Sequence, residues 1–405
     1  ETQLAELFLC IDGIKYARKR LKHWMRPQKR AVSKWLWGAR NTVIPQPLGV
    51  VGIIVPWNYP LFLCISPLIG ALAAGNRCMI KMAAHSNHLS QLLHALFAKQ
   101  FAADLLTIVP GAKGSEFAAL PFDHLVFTGS GPTGRQVMRA AANNLTPVTL
   151  ELGGKSPTII APDYSITKAA KRLLFSKCLN AGQTCVAPDY VFVPEGKLDE
   201  FVAAAKTIVG GRYPDIEQQD YTSIINDTAF MRLKSTLADA IDQGASATVL
   251  VPNSVPNEAT RKFPPTVLTR VTASMRVMQE EIFGPLLPVM TYQHIDEVLH
   301  YINGQDRPLG LYLFSDDKTM QAKVINKTRS GGVCLNDTTL HVGQHDMPFG
   351  GVGESGMGQY HGAEGFMAMS KLRPIFRQAP ITALSIMYPP YGKTFNRIIN
   401  LMFRF

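Results

Sequence analysis

Among the chain's six cysteines, Cys185 has the setting a reactive thiol needs. It ends the run Asn180-Ala181-Gly182-Gln183-Thr184-Cys185, small and polar residues between a helical and a strand-like segment, where a side chain stays reachable. A thiol attacks only as thiolate, from a free pKa of about 8.5. Cys64, Cys78 and Cys178 stand in apolar or helical surroundings and are expected to pack, as are Cys10 and Cys334. No Cys-x-x-Cys pair and no disulfide-framework spacing occurs in the sequence, which points to a reducing, cytoplasmic setting.

A second feature is Gly129-Ser130-Gly131-Pro132-Thr133-Gly134, which fits G-x-G-x-x-G between a strand and a helix, with Pro132 suited to the first helical turn. Backbone N–H groups at such a turn favour a phosphate. The usual dinucleotide fingerprint lies in the first βα turn, with an acid about 20 residues later. Here the turn follows a fourth strand, and the acid at the next strand end is Glu151. Spacing alone leaves two readings open: Glu151 as a ribose ligand beside a phosphate cradle, or an ordinary glycine turn. His341 and His345 are four apart and His85 and His88 three apart, but neither pair has a third ligand at metal spacing, so no metal is expected.

These residues need a scaffold, and 405 residues suffice for two or three domains. With 18% charged and 46% hydrophobic residues the chain is globular, not disordered or fibrous. Its net charge of +11 invites a nucleic-acid or membrane partner. The excess sits at the ends, however: residues 1–40 hold ten Lys/Arg against three acids and residues 371–405 hold six against none, leaving the body at −2. No nucleic-acid partner is therefore expected. The uncharged stretch 41–76 resembles a membrane span, but Pro45, Pro47, Pro56, Pro60 and Pro67 interrupt it. The chain starts at Glu1 without a signal-peptide pattern, so the numbering is expected to begin inside a longer protein.

Apolar residues at 4, 7, 8, 11, 14, 21, 24 and 25 predict a helix that packs this stripe and turns Lys and Arg outward. Strands at 50–55, 78–81, 105–109, 124–127 and 146–150 then alternate with helices at 61–74, 87–101 and up to 142, implying parallel βαβ units. After Gly153-Gly154 a second set follows, with strands at 157–160 and 190–193 and helices at 166–179, 197–208 and 228–243. The fold class is α/β, divided into lobes 1–152 and 153–370 and a C-terminal arm or tail 371–405. Residues 381–405 end in an apolar, basic helix, expected to pack on the body or a dimer partner instead of a membrane surface.

Five motifs carry a resemblance: Pro56-Trp57-Asn58, Glu151-Leu152-Gly153-Gly154-Lys155-Ser156-Pro157, Gly182-Gln183-Thr184-Cys185, Glu281-Ile282-Phe283-Gly284-Pro285 and Pro348-Phe349-Gly350-Gly351-Val352-Gly353-Glu354-Ser355-Gly356. In order and interval, over residues 24–371, they resemble the aldehyde dehydrogenase superfamily. Segments around 47–60, 120–153 and 360–362 are most similar to its coniferyl aldehyde-oxidising, class 3-like branch. The resemblance implies two Rossmann-type α/β lobes with a small oligomerisation arm near 29–47, a homodimer, and NAD as cofactor with NADP admitted. It also implies a small aldehyde as substrate, aromatic in this branch, with coniferaldehyde oxidised to ferulate.

By the same resemblance, the Cys185 thiolate adds to the aldehyde, and the thiohemiacetal passes hydride to the nicotinamide and becomes a thioester. The Asn58 amide and the Cys185 N–H hold the oxyanion. Glu151 activates the water that hydrolyses the thioester, which displaces its ribose reading. Lys81 and Glu281 align with holders of the two riboses and Phe283 with a residue beside the nicotinamide. Gly129, Ser130 and Gly134 fall on the pyrophosphate side, and Pro56, Trp57, Leu152 and Gly153 complete the cofactor set. Tyr59, Phe62 and His341 are expected around the substrate. One departure stands out: in Lys81-Met82-Ala83-Ala84 the family's usual glutamate is Ala84, implying weaker discrimination against NADP. A coenzyme A-acylating relative, disfavoured by Glu151, and a non-catalytic nucleotide-binding or structural member are the alternatives.

Overall fold

The computed structural model describes residues 1–404. A π-helical turn, Gln3–Phe8, runs into the helix Leu9–Trp24, and the short β1 (Gln28–Arg30) pairs antiparallel with β2 (Arg40–Pro47). A first sheet follows from β3 (Val50–Val55), β4 (Arg77–Met82), β5 (Leu106–Ile108), β6 (His124–Thr128) and β7 (Val148–Glu151). Its parallel order is β7-β6-β3-β4-β5. The chain thus leaves β3 toward one edge and returns to its other side, which opens a crevice at the carboxyl ends of β3 and β6. The β-branched run of β3 is buried from residue 51 onward, as a strand covered by helices on both faces must be.

The second sheet has the order β10-β11-β12-β9-β8-β13-β14. Its strands are β8 (Pro157–Ile160), β9 (Tyr190–Pro194), β10 (Ser246–Val249), β11 (Thr266–Thr269), β12 (Leu286–Tyr292), β13 (Gly310–Phe314) and β14 (Gly332–Leu335). All neighbours run parallel except the edge pair β10–β11. Its core is the largest in the molecule.

Two details differ from the sequence division. The stretch 356–369, counted with the second lobe, returns to the first: β15 (Gly356–Met357) pairs antiparallel with β7, and the helix Gly362–Ala368 packs on the helix Phe62–Ala73. Asn76 ties that return in place by accepting from the Leu48 and Gly49 N–H groups and donating to the Ala71 and Met369 carbonyls. Residues 371–377, counted with a tail, belong to β16 (Ser370–Arg377), which pairs with β2 along its whole length. The arm is therefore a three-stranded antiparallel sheet built from both ends of the chain.

The N-terminal helix also corrects its expectation. It buries Cys10, Gly13, Ala17 and Trp24, while Leu7, Ile11 and Ile14 of the expected stripe are exposed. Small residues face the helix Phe62–Ala73 because the two run close together: a side chain at Gly13 would meet Ile69 and His345. Among the described residues no helix is long and apolar enough to cross a membrane.

Candidate active site

The loop carrying Cys185 is held in an unusual shape. Asn180, Ala181 and Gly182 all have left-handed backbone, with φ of 50°, 50° and 75°. Such a run costs strain at Asn180 and Ala181 and survives only where surrounding contacts fix it. Those contacts are present. Asn180 Nδ2 donates to the Asn58 carbonyl at 3.0 Å and the Gln183 carbonyl at 3.2 Å. Gln183 Nε2 donates to the Asn180 and Ser223 carbonyls, and its Oε1 accepts from Ile225 N–H. A Cβ on Gly182 would lie 2.3 Å from the Gly284 carbonyl oxygen, so the loop presses on the turn after Phe283.

Glu151 ends β7 between Thr128 of β6 and Gly356 of β15 in register, and β15 seals it from solvent. Both of its oxygens lack a partner at hydrogen-bonding geometry, with Cys185 and Thr128 as polar neighbours. Burial pushes its carboxyl up to about 7, partly opposed by those two groups. Burial and then the Glu151 charge push the Cys185 thiol well above its ordinary value. The resting pair is thus a neutral thiol beside a carboxyl poised near neutrality. Asn58 joins them, its Nδ2 donating to the Gln183 carbonyl at 3.2 Å. Tyr360, which the residue pattern singled out for no chemistry, completes the group: its hydroxyl is buried beside Glu151, Cys185 and Thr128.

Behind this group a cleft of about 410 Å³ opens at the crevice between β3 and β6. Pro56, Trp57, Lys81, Gly129 and Ser130 line it. Gly134 and Leu152 do not: a side chain at Gly134 would strike Leu152, so the pair packs the helix Gly131–Ala142 against β7. Gly153, Glu281 and Phe283 stand apart from the cleft lining. A Cβ on Gly153 would lie 2.2 Å from the Glu281 carboxylate, which accepts from Gly154 N–H at 3.1 Å. Phe283 reaches the cleft through Trp57, ring centres 5.6 Å apart.

The cleft fits a dinucleotide. No carboxylate lines it, and the helix Gly131–Ala142 opens onto it without a side-chain cap, leaving first-turn N–H groups for an anion. Lys81, half-buried, has its ammonium disfavoured by desolvation and, among the described residues, makes no ion pair or hydrogen bond. A desolvated cation in an acid-free cleft is suited to an oxygen-rich ligand.

Cys185 itself lines a cavity of about 340 Å³ with no charged side chain in its walls. Tyr59, Phe62, Phe175 and Phe349 supply aromatic surface, and Leu4 and Phe8 close one flank. His341 is not part of the wall; it packs between Tyr312 and Phe349. The Tyr59 hydroxyl lies 3.0 Å from Thr184 Oγ1 and so fixes the residue next to Cys185.

A dinucleotide-sized cleft at a Rossmann-type crevice, with an apolar cavity beside a buried Cys–Glu pair, marks a nicotinamide-dependent oxidoreductase. Residues 1–375 match the aldehyde dehydrogenase family model. A probable coniferyl aldehyde dehydrogenase of Pseudomonas aeruginosa is 52% identical over 406 residues, covering 100% of this chain and 84% of its own length. The substrate-bound structure of Staphylococcus aureus AldH superposes with a TM-score of 0.91 at 38% identity, over 98% of this chain and 86% of its own. A Mycobacterium tuberculosis aldehyde dehydrogenase complexed with NAD+ gives a TM-score of 0.84 at 29% identity, over 94% and 79%. The chain belongs to the aldehyde dehydrogenase family, and it is an NAD(P)-dependent enzyme acting on small aldehydes.

Proposed function

We propose that the protein oxidises an aromatic aldehyde of the coniferyl type to its carboxylic acid through a thioester on Cys185. The observation that carries this reading is the Cys185–Glu151 pair set between an uncharged aromatic cavity and a dinucleotide cleft. Bound NAD(P) supplies the hydride acceptor. Attack by Cys185 Sγ on the carbonyl carbon needs the thiol proton to leave, and Glu151 is the adjacent acceptor with a suitable affinity. The oxyanion formed falls to the Asn58 amide and the Cys185 N–H. After hydride loss, and once its proton has passed to solvent, Glu151 takes a proton from the water that releases the acid.

Lys81 and Glu281 are assigned to the riboses, Phe283, Pro56 and Trp57 to the nicotinamide side, and Gly129 and Ser130 to the pyrophosphate. Gly134, Leu152 and Gly153 act from behind by packing. With Ala84 two residues beyond β4 and no carboxylate among the described residues lining the cleft, a 2′-phosphate meets no repelling acid, so NADP is accepted beside NAD. The exposed arm sheet, with Trp37 89% exposed and Phe376 50%, is the assigned homodimer surface.

Three measurements test the reading. A Cys185→Ser variant should lose oxidation and still bind NADH; retained oxidation excludes the thioester route. In a panel, kcat/KM should be higher for coniferaldehyde and benzaldehyde than for hexanal, and the reverse order removes the aromatic assignment. A preference for NAD over NADP above about a thousandfold in kcat/KM would remove the dual-cofactor assignment.

A further inference from the structure

Lys155 lies four residues after Glu151 and Asp189 four residues after Cys185. The two meet in a largely buried ion pair, Lys155 Nζ to Asp189 Oδ1 at 2.5 Å. The pair reaches well beyond itself. An ammonium has three N–H groups, and the other two of Lys155 donate to the Val277 and Glu280 carbonyls at 2.8 and 2.9 Å. The second oxygen of Asp189 accepts from Ile282 N–H at 3.0 Å. From the other side Arg232 donates to the Ile282 carbonyl at 2.8 Å and the Glu281 carbonyl at 3.4 Å. Buried Lys177 adds a further positive charge near Asp189.

All these bonds converge on residues 277–282, directly before Phe283. Phe283 has φ of 44°, a left-handed backbone that a bulky side chain keeps only when its surroundings over-determine it. A buried ion pair is weak evidence for stability, since its desolvation offsets much of its attraction. Its use here is better read from what it touches. The segments just after the nucleophile and the base are joined to each other, and both to the turn that carries Glu281 and Phe283.

We infer that Lys155 and Asp189, backed by Arg232, are positioning residues for cofactor binding: they hold the 277–283 turn so that Glu281 and Phe283 stand in register with Cys185 and Glu151. The inference rests on the assignment of Glu281 to a ribose made above. Neither Lys155 nor Asp189 needs to touch the cofactor.

The test measures NADH dissociation by fluorescence titration, and NAD kinetics, for Asp189→Asn, Arg232→Gln, Glu281→Gln and the double variant Asp189→Asn/Glu281→Gln. A misplaced turn should raise the NADH Kd and the NAD KM about tenfold in Asp189→Asn, and more than it lowers kcat. Because the residues act through Glu281, the double variant should bind NADH within about twofold of Glu281→Gln alone, whereas independent structural damage would add. Where Glu281→Gln itself weakens NADH binding, full additivity overturns the inference, as does unchanged NADH binding in a folded Asp189→Asn enzyme. If Asp189→Asn does not fold, Arg232→Gln decides by the same criterion, since Arg232 is half-buried and its loss leaves the ion pair intact. A silent Glu281→Gln with a weakened Asp189→Asn would refute the ribose assignment but uphold the clamp, acting then through Phe283.

Discussion

The Asn58 side-chain amide donates to the Gln183 carbonyl at 3.2 Å, two residues before Cys185. One N–H of that amide is anchored on the nucleophile's own loop, and the second is left for a ligand. The Asn58 carbonyl is held in turn by Asn180 Nδ2. Asn58→Ala should therefore lower kcat about 10²–10³-fold, the usual cost of one oxyanion donor, with NADH binding unchanged. Loss of NADH binding of similar size would show that Asn58 shapes the cofactor cleft instead.

The raised carboxyl of Glu151 sets a pH dependence. With its pKa near about 7, the base form is lost as pH falls, so kcat should drop about tenfold per unit below that value. Glu151→Gln should be slower by about 10²–10⁴-fold and should lack this limb. Stability runs the other way. A carboxyl whose folded pKa lies above its unfolded value of 4.5 binds more protons folded than unfolded, so its contribution to stability falls as pH rises from about 4.5 to 7. Glu151→Gln should thus melt higher than the parent at pH 8 and no higher at pH 4.5. An unchanged pH–rate limb in Glu151→Gln would assign the base elsewhere.

Cys185 reports on the same pair from the other side. Burial and the Glu151 charge hold its thiol well above the ordinary range, so alkylation of the free enzyme by iodoacetamide at pH 7 should be slow. Removing that charge in Glu151→Gln should move the alkylation profile to lower pH and speed the reaction at pH 7. A profile that stays in place would mean that burial alone suppresses the thiolate.

The first lobe was legible because apolar runs such as β3 alternate regularly with helices and are set off by glycine and proline turns, so that even the short β5 and β7 stand out. Past residue 243 the signals fade: β10, β11 and β14 have four residues each and β15 only two, too short for a periodic pattern. The N-terminal helix misled because close packing against a neighbouring helix selected Cys10, Gly13 and Ala17 over the larger Leu7, Ile11 and Ile14. Cys185, Glu151 and Asn58 emerged from motif order, and the structure brings all three together. The Lys155–Asp189 pair stayed invisible because its function lies in backbone groups of residues 277–282, which no side-chain pattern announces.

Tyr360 presents a separate case. Its ring packs edge-on against Phe349 and His361, while its hydroxyl is buried in a region that Glu151, Cys185 and Thr128 all influence. Tyr360→Phe keeps the ring and its edge-on contacts, so it should fold about as stably as the parent. If the hydroxyl served packing alone, activity would be unchanged as well. Its place beside Glu151 and Cys185 argues that it helps to aim Glu151 at one oxygen of the reacting group. Tyr360→Phe should then lower kcat about tenfold, with NADH Kd within twofold of the parent and melting temperature unchanged. Full activity would show the hydroxyl to serve packing alone; reduced activity at unchanged stability would identify it as a positioning group for Glu151.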